Sequence, residues 1–408
     1  QSNMEWPLKN SPALSAVVAR GTVPTLRQFK VARAVASEPV KTARGEWNAL
    51  SPETAANFSA VAYHFAESVQ SRLDVPIGWV NSTWGATAIE AWMPAAVVEK
   101  FPVIAGRWAR VVAEFPARQA AYEKERAAWK EKAAAAKARG EKVGHDWPRP
   151  PEGPGSRREP AGLFNAMIAP LAPFPFRGVL WYQAEGNTGR AAEYAQFFPA
   201  MIEGWRARWG GEPAWFYFVQ LPSYNVPSDR TGVQWAELRE AQTAALALPR
   251  TAMAVTLDAG APDNGHPPDK TIVGQRLAQL ALAHSYGVAV AAAENPRARS
   301  ATFADGEIVV RFAGAPDGLA LRGETLDGVE VVDAAGRAQA VTGRLIGDSL
   351  RLAVPTDLTP AAVRYAWRNN PVVSLQNAAG VPVAPFQISI HSAAPISGGA
   401  LTLKPTSR

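Results

Sequence analysis

The chain contains no cysteine, which excludes disulfide staples, thiolate zinc sites and a cysteine nucleophile while leaving the redox compartment open. It has no run of eighteen or more apolar residues, so no helical span across a membrane is expected. Histidine is scarce at five residues, and no two stand at metal-ligand spacing, so no metal site is expected. There is no G-x-S-x-G, and the nucleophile elbow of the α/β hydrolases is not supported. The opening residues QSNMEWPL lack the basic-then-apolar pattern of a secretion signal, although a chain beginning in mid-motif leaves room for one upstream. No internal repeat is evident.

What is present describes a large folded protein. At 408 residues the chain exceeds what one hydrophobic core organises, which points to two domains. Its 47% hydrophobic and 19% charged residues fit a globular composition. The net charge of +6 would suggest a polyanion site if it were clustered. Much of the basic excess lies instead in RQAAYEKERAAWKEKAAAAKARGEKVG, where acids and bases alternate around alanines. That pattern reads as a solvated helix face, and no nucleic-acid partner is expected.

The first two-thirds of the chain alternates helix-like and strand-like segments. SPETAANFSAVAYHFAESVQSRL starts with Ser51, Pro52 and Glu53, a cap, a first-turn proline and a dipole-favourable acid, and reads as a helix ahead of the strand VPIGWVNST. A charged helix and a Pro/Gly-rich loop interrupt the alternation from about 113 to 162. It resumes with RGVLWYQAE, AAEYAQFFPAMIEGWRARW, AWFYFVQL, QWAELREAQTAALAL, TAMAVTLDA and KTIVGQRLAQLALAHSYG. Strands bounded by helices in this order imply an α/β domain over residues 1–290, with a parallel sheet covered by helices on both faces. From about 291 to 408, short β-rich runs separated by Gly, Asp and Pro turns imply an antiparallel, sandwich-like β domain.

Ligands of an open parallel sheet sit beyond the carboxyl ends of its strands, and three such places carry polar residues. LDAGAPDNGHPPDK places Asp263 three residues before His266, a carboxylate able to orient and stabilise an imidazole acting as general base. His64 and His284 fall in helix patterns, His145 in the charged insertion and His391 in the last β segment, all weaker contexts. VLWYQAEGN runs a strand directly into Gln183, Glu185 and Asn187, and the Gln183 amide suits either a developing oxyanion or the backbone at a strand end. VNSTWGATAIEAW carries Gly85, where close backbone approach lets its N–H or that of Ala86 face an oxyanion. A hydrolase without cysteine needs a Ser or Thr nucleophile partnered with a base, and Ser2 in the opening stretch would complete the set. The 14 tryptophans suit stacking on sugar faces, but most read as core.

Four blocks, QSNMEWPL, PIGWVNSTWGATAIEAW, PAGLFNAMIAPLAPFPFRGVLWYQAEGN and GHPPDKTIVGQRLA, together resemble the sialate O-acetylesterase family, a branch of the SGNH (GDSL-like) hydrolases. VRYAWRNNPVVSLQNAAGVPVAPF is similar to the family's C-terminal segment, so the likeness runs through nearly the whole chain in order. The resemblance implies an SGNH-like fold, Ser2 as nucleophile and His266 as base. It further implies an oxyanion hole made by the N–H groups of Ser2 and Gly85 and the amide of Gln183. Asp263 rests mainly on its D-x-x-H spacing, with Asp258 as the alternative acid, and Asn3, Glu185 and Asn187 are placed as supports of the site or sugar contacts.

Many relatives resemble G-G-T where this chain has GAT, and Q-G-E-S-N where it has QAEGN. The first change narrows the acyl pocket and the second removes one hydrogen bond. Relatives also carry an upstream β domain and a strand leading into the first block. On that likeness the chain is expected to be part of a longer protein, exported to the periplasm or secreted. The expected function is removal of O-acetyl groups from sugars, above all sialic acid, through an acetyl-serine and without cofactor. The alternatives are an acetyl xylan or other polysaccharide acetylesterase, and, in a different class, a catalytically inactive carbohydrate-binding protein.

Overall fold

The computed structural model describes residues 2–143, 147–291 and 293–392, so His145 lies outside the described residues. The chain forms two compact units, one of residues 1–294 with 368–371 and one of residues 295–367 with 372–408.

The first unit opens with a single helical turn, α1 (Ser2–Glu5), and a short helix, α2 (Leu14–Ala19), followed by β1 (Val23–Val31), β2 (Gly45–Leu50), α3 (Ala60–Leu73) and β3 (Ile77–Asn81). The β1–β2 connection contains no helix, so the chain turns back and pairs antiparallel, whereas β3, reached through α3, lies parallel to β1. The chain continues through α4 (Ala95–Val98), α5 (Pro102–Ala138), β4 (Gly178–Trp181), α6 (Ala191–Trp209), β5 (Trp215–Val219), α7 (Gln234–Thr243), β6 (Thr251–Ala254) and α8 (Thr271–Ser285). Strands β4, β5 and β6 form a parallel sheet in that order. In place of one parallel sheet there are two three-stranded sheets, one mixed and one parallel, with no ladder between them among the described residues.

Strands β1 and β2 lie outside the sequence reading because β1 hides its alternation. A polar residue, Gln28, occupies one of its buried positions and takes three hydrogen bonds there, from the Ser59 N–H, Trp79 Nε1 and Asn81 Nδ2. Helix α3 begins eight residues later than its Ser51 cap would place it. The Ser51 N–H donates to Thr54 Oγ1 at 3.0 Å and Thr54 Oγ1 donates to Ala49 O at 2.7 Å, a local turn that competes with helix. The working cap is Ser59, whose Oγ accepts the Ala62 N–H at 3.2 Å. Helix α5 starts at Pro102, ahead of the expected insertion, and Ile104 is its one buried residue among those described, so its alternating charges do face solvent.

The second unit comprises β7 (Arg297–Ala304), β8 (Glu307–Ala313), β9 (Leu319–Leu321), β10 (Val329–Asp333), β11 (Ala338–Ala340), β12 (Gly343–Ile346), β13 (Ser349–Ala353), β14 (Pro360–Tyr365), β15 (Leu375–Asn377) and β16 (Phe386–Ser392). Eight of them form one sheet in the order β11-β10-β14-β16-β7-β8-β13-β12, and β15 pairs with β9. The sheet is antiparallel as expected except where β16 meets β7, which is a parallel junction. Its buried face is aliphatic and aromatic, with Val310, Val331, Leu350, Leu352, Val363 and Tyr365 fully enclosed.

In the first unit α3 and α8 cross closely at Gly274. A Cβ there would stand 2.5 Å from His64 Cβ and 2.8 Å from Val61 O, backbone and buried helix that cannot yield cheaply. Gly274→Ala is therefore expected to destabilise the first unit by about 1–3 kcal/mol, read as a lower midpoint in chemical denaturation. An unchanged midpoint would mean that the two helices part without cost.

Candidate active site

The turn α1 is anchored by backbone and cap contacts. Ser59 Oγ, which caps α3, donates to Met4 O at 2.7 Å. The Ala60 N–H donates to Trp6 O and the Leu8 N–H to Phe58 O, each at 2.8 Å. Met4 and Leu8 are buried, and Trp6 packs against the cluster of Leu8, Leu26, Leu50 and Phe58. Ser2 thus starts a turn whose far end is fixed to the N-terminus of a buried helix.

Beyond β3, the chain brings Gly85 against Ser2. A Cβ on Gly85 would lie 2.7 Å from Ser2 Oγ, so glycine is what permits the approach. The N–H that reaches Ser2 Oγ, at 3.2 Å, is that of Ala86, whose φ of 57° is in the left-handed region. The Gly85 N–H is engaged elsewhere, donating to Glu5 Oε2 at 3.1 Å. That carboxylate is held by Arg33 and by Lys30 Nζ, which also donates to Thr83 Oγ1 at 3.0 Å. Of the two N–H groups that the GAT segment offers, geometry selects Ala86 for the serine and leaves Gly85 to orient the turn.

A second cluster ties the His266 loop to the same turn. The fully buried Asn3 side chain donates from Nδ2 to Glu185 Oε1 at 2.7 Å and to Gly265 O at 3.0 Å. Its Oδ1 accepts Lys270 Nζ at 2.7 Å. Lys270 is buried, with its ammonium 5.5 Å from the Trp6 ring centroid and 5.8 Å from that of Tyr182. The other neighbour of Trp6 is the half-buried His266, stacked at 5.9 Å with an interplanar angle of 13°. Burial lowers the His266 pKa below its ordinary 6.5, Lys270 adds to the lowering and Glu185 opposes it. The imidazole is consequently neutral at pH 7, the form a general base needs. No direct hydrogen bond joins His266 to Ser2 among the described residues; Asn3 links the two segments.

The remaining expected positions divide. Gln183 is fully buried, and its Nε2 donates to Asn187 Oδ1 at 2.9 Å and to Thr87 O at 3.3 Å, so both amide hydrogens are engaged. Asn187 in turn accepts the Ile89 N–H at 3.0 Å and donates to Glu90 Oε2 at 2.9 Å, and Glu90 is paired with Arg107 and Arg190. Gln183 and Asn187 therefore belong to a buried scaffold, in which the Gln183 amide, expected to face an oxyanion, has both hydrogens on Thr87 and Asn187. Within QAEGN, a Cβ on Gly186 would lie 2.5 Å from Thr87 O, so the residue standing for the family's serine permits close backbone approach.

Asp263 is exposed, and no hydrogen bond joins it to His266 among the described residues; the His266 backbone N–H is taken by Asn264 Oδ1 at 2.8 Å. Asp258 forms a bidentate pair with Arg276 at 2.6 and 2.8 Å. The carboxylate whose charge acts on the ring is that of Glu185. His64 packs between α3 and α8, and His284 stacks on Trp215 and meets Glu294, both as structural residues.

No family model matches the chain. Sialate O-acetylesterase of Rattus norvegicus is 32% identical over 319 residues, 70% of this chain and 55% of the relative. That of Homo sapiens is 30% identical over 247 residues, 56% of this chain and 39% of the relative. The chain thus spans about half, or less, of the length of the curated relatives it matches. The crystal structure of a carbohydrate acetylesterase from Xanthomonas citri aligns with a TM-score of 0.78 at 34% identity, covering 95% of this chain and 78% of that one. The chain belongs to the sialate O-acetylesterase family. The likeness read from the sequence blocks is thereby borne out.

For a member of this family the residues that sequence reasoning leaves out are as telling as those it names. Glu5, Trp6, Ser59 and Lys270 all lie in or beside the quoted segments, yet nothing in their spacing announces that Lys270 is buried or that Trp6 neighbours both it and His266. Burial pulls the Lys270 pKa down to about 8, with Glu185 and Asp269 opposing. The unfolded chain holds that proton to 10.5. Between these values the unfolded state binds more protons, so this group makes stability rise with pH across the window. The stability difference between wild type and Lys270→Met is expected to move by about 3 kcal/mol in favour of wild type from pH 8 to pH 10.5, measured by denaturant titration. A difference independent of pH would show that the ammonium carries no burial penalty.

Proposed function

We propose that this protein is a serine esterase that removes O-acetyl groups from sugars, sialic acid foremost, through an acetyl-serine intermediate. The observation that carries the reading is Ser2 Oγ facing the Ala86 N–H at a glycine-permitted approach, on a turn that Asn3 ties to the His266 loop. Its relatives' names supply the acetyl and sugar chemistry.

In this reading neutral His266 takes the Ser2 hydroxyl proton as Oγ attacks the acetyl carbonyl. The C=O electron pair moves onto oxygen, and the Ala86 N–H, joined by that of Ser2, receives the oxyanion. The imidazolium returns its proton to the departing sugar oxygen, and Glu185 stabilises the transient positive charge. Water, deprotonated by the same histidine, then releases acetate. The Gly85 N–H and Gln183 amide hold Glu5 and Asn187, and we assign them to shaping the hole rather than lining it. Asp263 enters only by turning its exposed side chain onto the ring.

The test is acetate release from an activated aryl acetate, followed by a panel of O-acetylated sugars including acetylated xylan. Ser2→Ala and His266→Ala are each expected to lower kcat by about 10⁴ or more, and the double variant to be scarcely worse than either, because the two act as one unit. Near-normal turnover by Ser2→Ala would sink the assignment.

The pH profile is a separate check. Protonated His266 cannot act as base, and burial lowers its pKa, so activity persists as pH falls past 6.5 and is lost only once pH falls through the lowered pKa. The acid limb of kcat/KM is accordingly expected below pH 6.5. A limb at or above that value would mean that the ring is not held neutral.

A further inference from the structure

Between α5 and β4 runs a Pro/Gly-rich segment that the proposed chemistry does not use, and the stretch from Gly153 to Gly162 is tightly built. The Ser156 N–H donates to Gly153 O, the Glu159 N–H to Ser156 O and the Gly162 N–H to Glu159 O, each at 3.0 Å. The Ala161 N–H donates to Glu90 O at 2.9 Å, attaching the loop to the buried scaffold. Gly153 admits the Phe115 ring of α5 so closely that a Cβ there would lie 2.0 Å from it. A segment held at both ends in this way can present a side chain in a defined place.

That side chain is Arg158. Its Nε donates to Ala86 O at 3.1 Å, the carbonyl of the residue whose N–H faces Ser2 Oγ. The guanidinium therefore stands one residue's span from the nucleophile. Its Nη1 meets Glu152 at 2.7 Å, but that carboxylate is 46% exposed, and an ion pair so wetted contributes only about 0–1 kcal/mol. The Arg33 guanidinium lies 5.7 Å from the Trp84 ring centroid, on the other chain neighbour of Gly85, and is paired with Glu5. Of the two guanidinium groups beside Gly85, Arg158 is the one whose anionic partner is easily exchanged.

We propose that Arg158 reads a carboxylate on the substrate, so that the site selects O-acetylated acidic sugars over neutral ones. The proposal rests on the esterase reading above. A planar guanidinium with Nε fixed on a backbone carbonyl still offers N–H groups on its Nη side, and a carboxylate can accept from them, as Glu152 Oε1 meets Nη1 now. A sugar acid with its acetyl group at Ser2 would displace Glu152 toward water, trading a solvent-screened pair for one partly shielded by the sugar.

The experiment compares an O-acetylated sialic acid with its methyl ester, which keeps the sugar and removes the charge, reading acetate release. Wild type is expected to favour the free acid in kcat/KM by about 10–100-fold, the range of a hydrogen bond to a charged group. In Arg158→Gln that ratio falls to near one, and in Arg158→Lys it is partly kept. Because each ratio is taken within one variant, any general damage to the Ala86 segment cancels. A ratio unchanged in Arg158→Gln, or a wild-type ratio near one, overturns the proposal. Hydrolysis of the aryl acetate by wild type is run beside it: if that fails, the esterase reading itself falls and the specificity claim with it, whereas aryl acetate turnover with an unchanged ratio removes the Arg158 role alone.

Discussion

The buried amide of Asn3 is the constraint on which the site depends. It is fully enclosed, and each of its polar atoms has a partner: Glu185 and Gly265 accept from Nδ2, and Lys270 donates to Oδ1. An enclosed amide left without one of these partners would cost about 1–3 kcal/mol, so the three segments that supply them are held in one arrangement. Ser2 precedes Asn3 in the chain and His266 follows Gly265, which means that one side chain sets the placement of both the serine and the histidine.

The same amide separates a buried cation from a carboxylate. Lys270 and Glu185 meet Asn3 from opposite polar atoms, so the amide helps to satisfy both charges as they leave water, and Glu185 Oε2 also accepts the Ala184 N–H. Lys270 gains further from the faces of Trp6 and Tyr182, and Trp6 turns its ring toward His266. The imidazole of His266 is thus set between a positive neighbour that favours its neutral form and a negative one that favours the imidazolium. Proton affinity and position come from one cluster.

The five residues QAEGN after β4 serve two purposes in alternation. Gln183 and Asn187 face the scaffold built on Glu90 with Arg107 and Arg190, while Glu185 faces Asn3. Gly186 lets the loop close on Thr87, so the scaffold and the Gly85–Ala86 segment are joined through backbone as well as side chains. A polar cluster at a strand end therefore faces two ways, and residue type alone does not say which member faces which.

By itself the sequence determined the family, the order of strands and helices from β3 to α8, and the segments that meet at the site, because ordered blocks and hydrophobic period are properties of the chain. It also determined that α5 is solvated, since alternating charges around alanine leave no apolar face to bury. The start of α3, the mixed character of the first sheet and the parallel junction of β16 with β7 were decided by tertiary structure. Ser51 and Thr54 close a local turn, and Gln28 in β1 finds its partners only when α3 and β3 arrive. Tertiary structure alone also chose Ala86 over Gly85 at Ser2 Oγ, engaged both hydrogens of Gln183, left Asp263 in solvent and enclosed Lys270. Each of those outcomes depends on which hydrogen-bond partners and charges come within reach once distant segments pack, and no spacing along the chain records that distance.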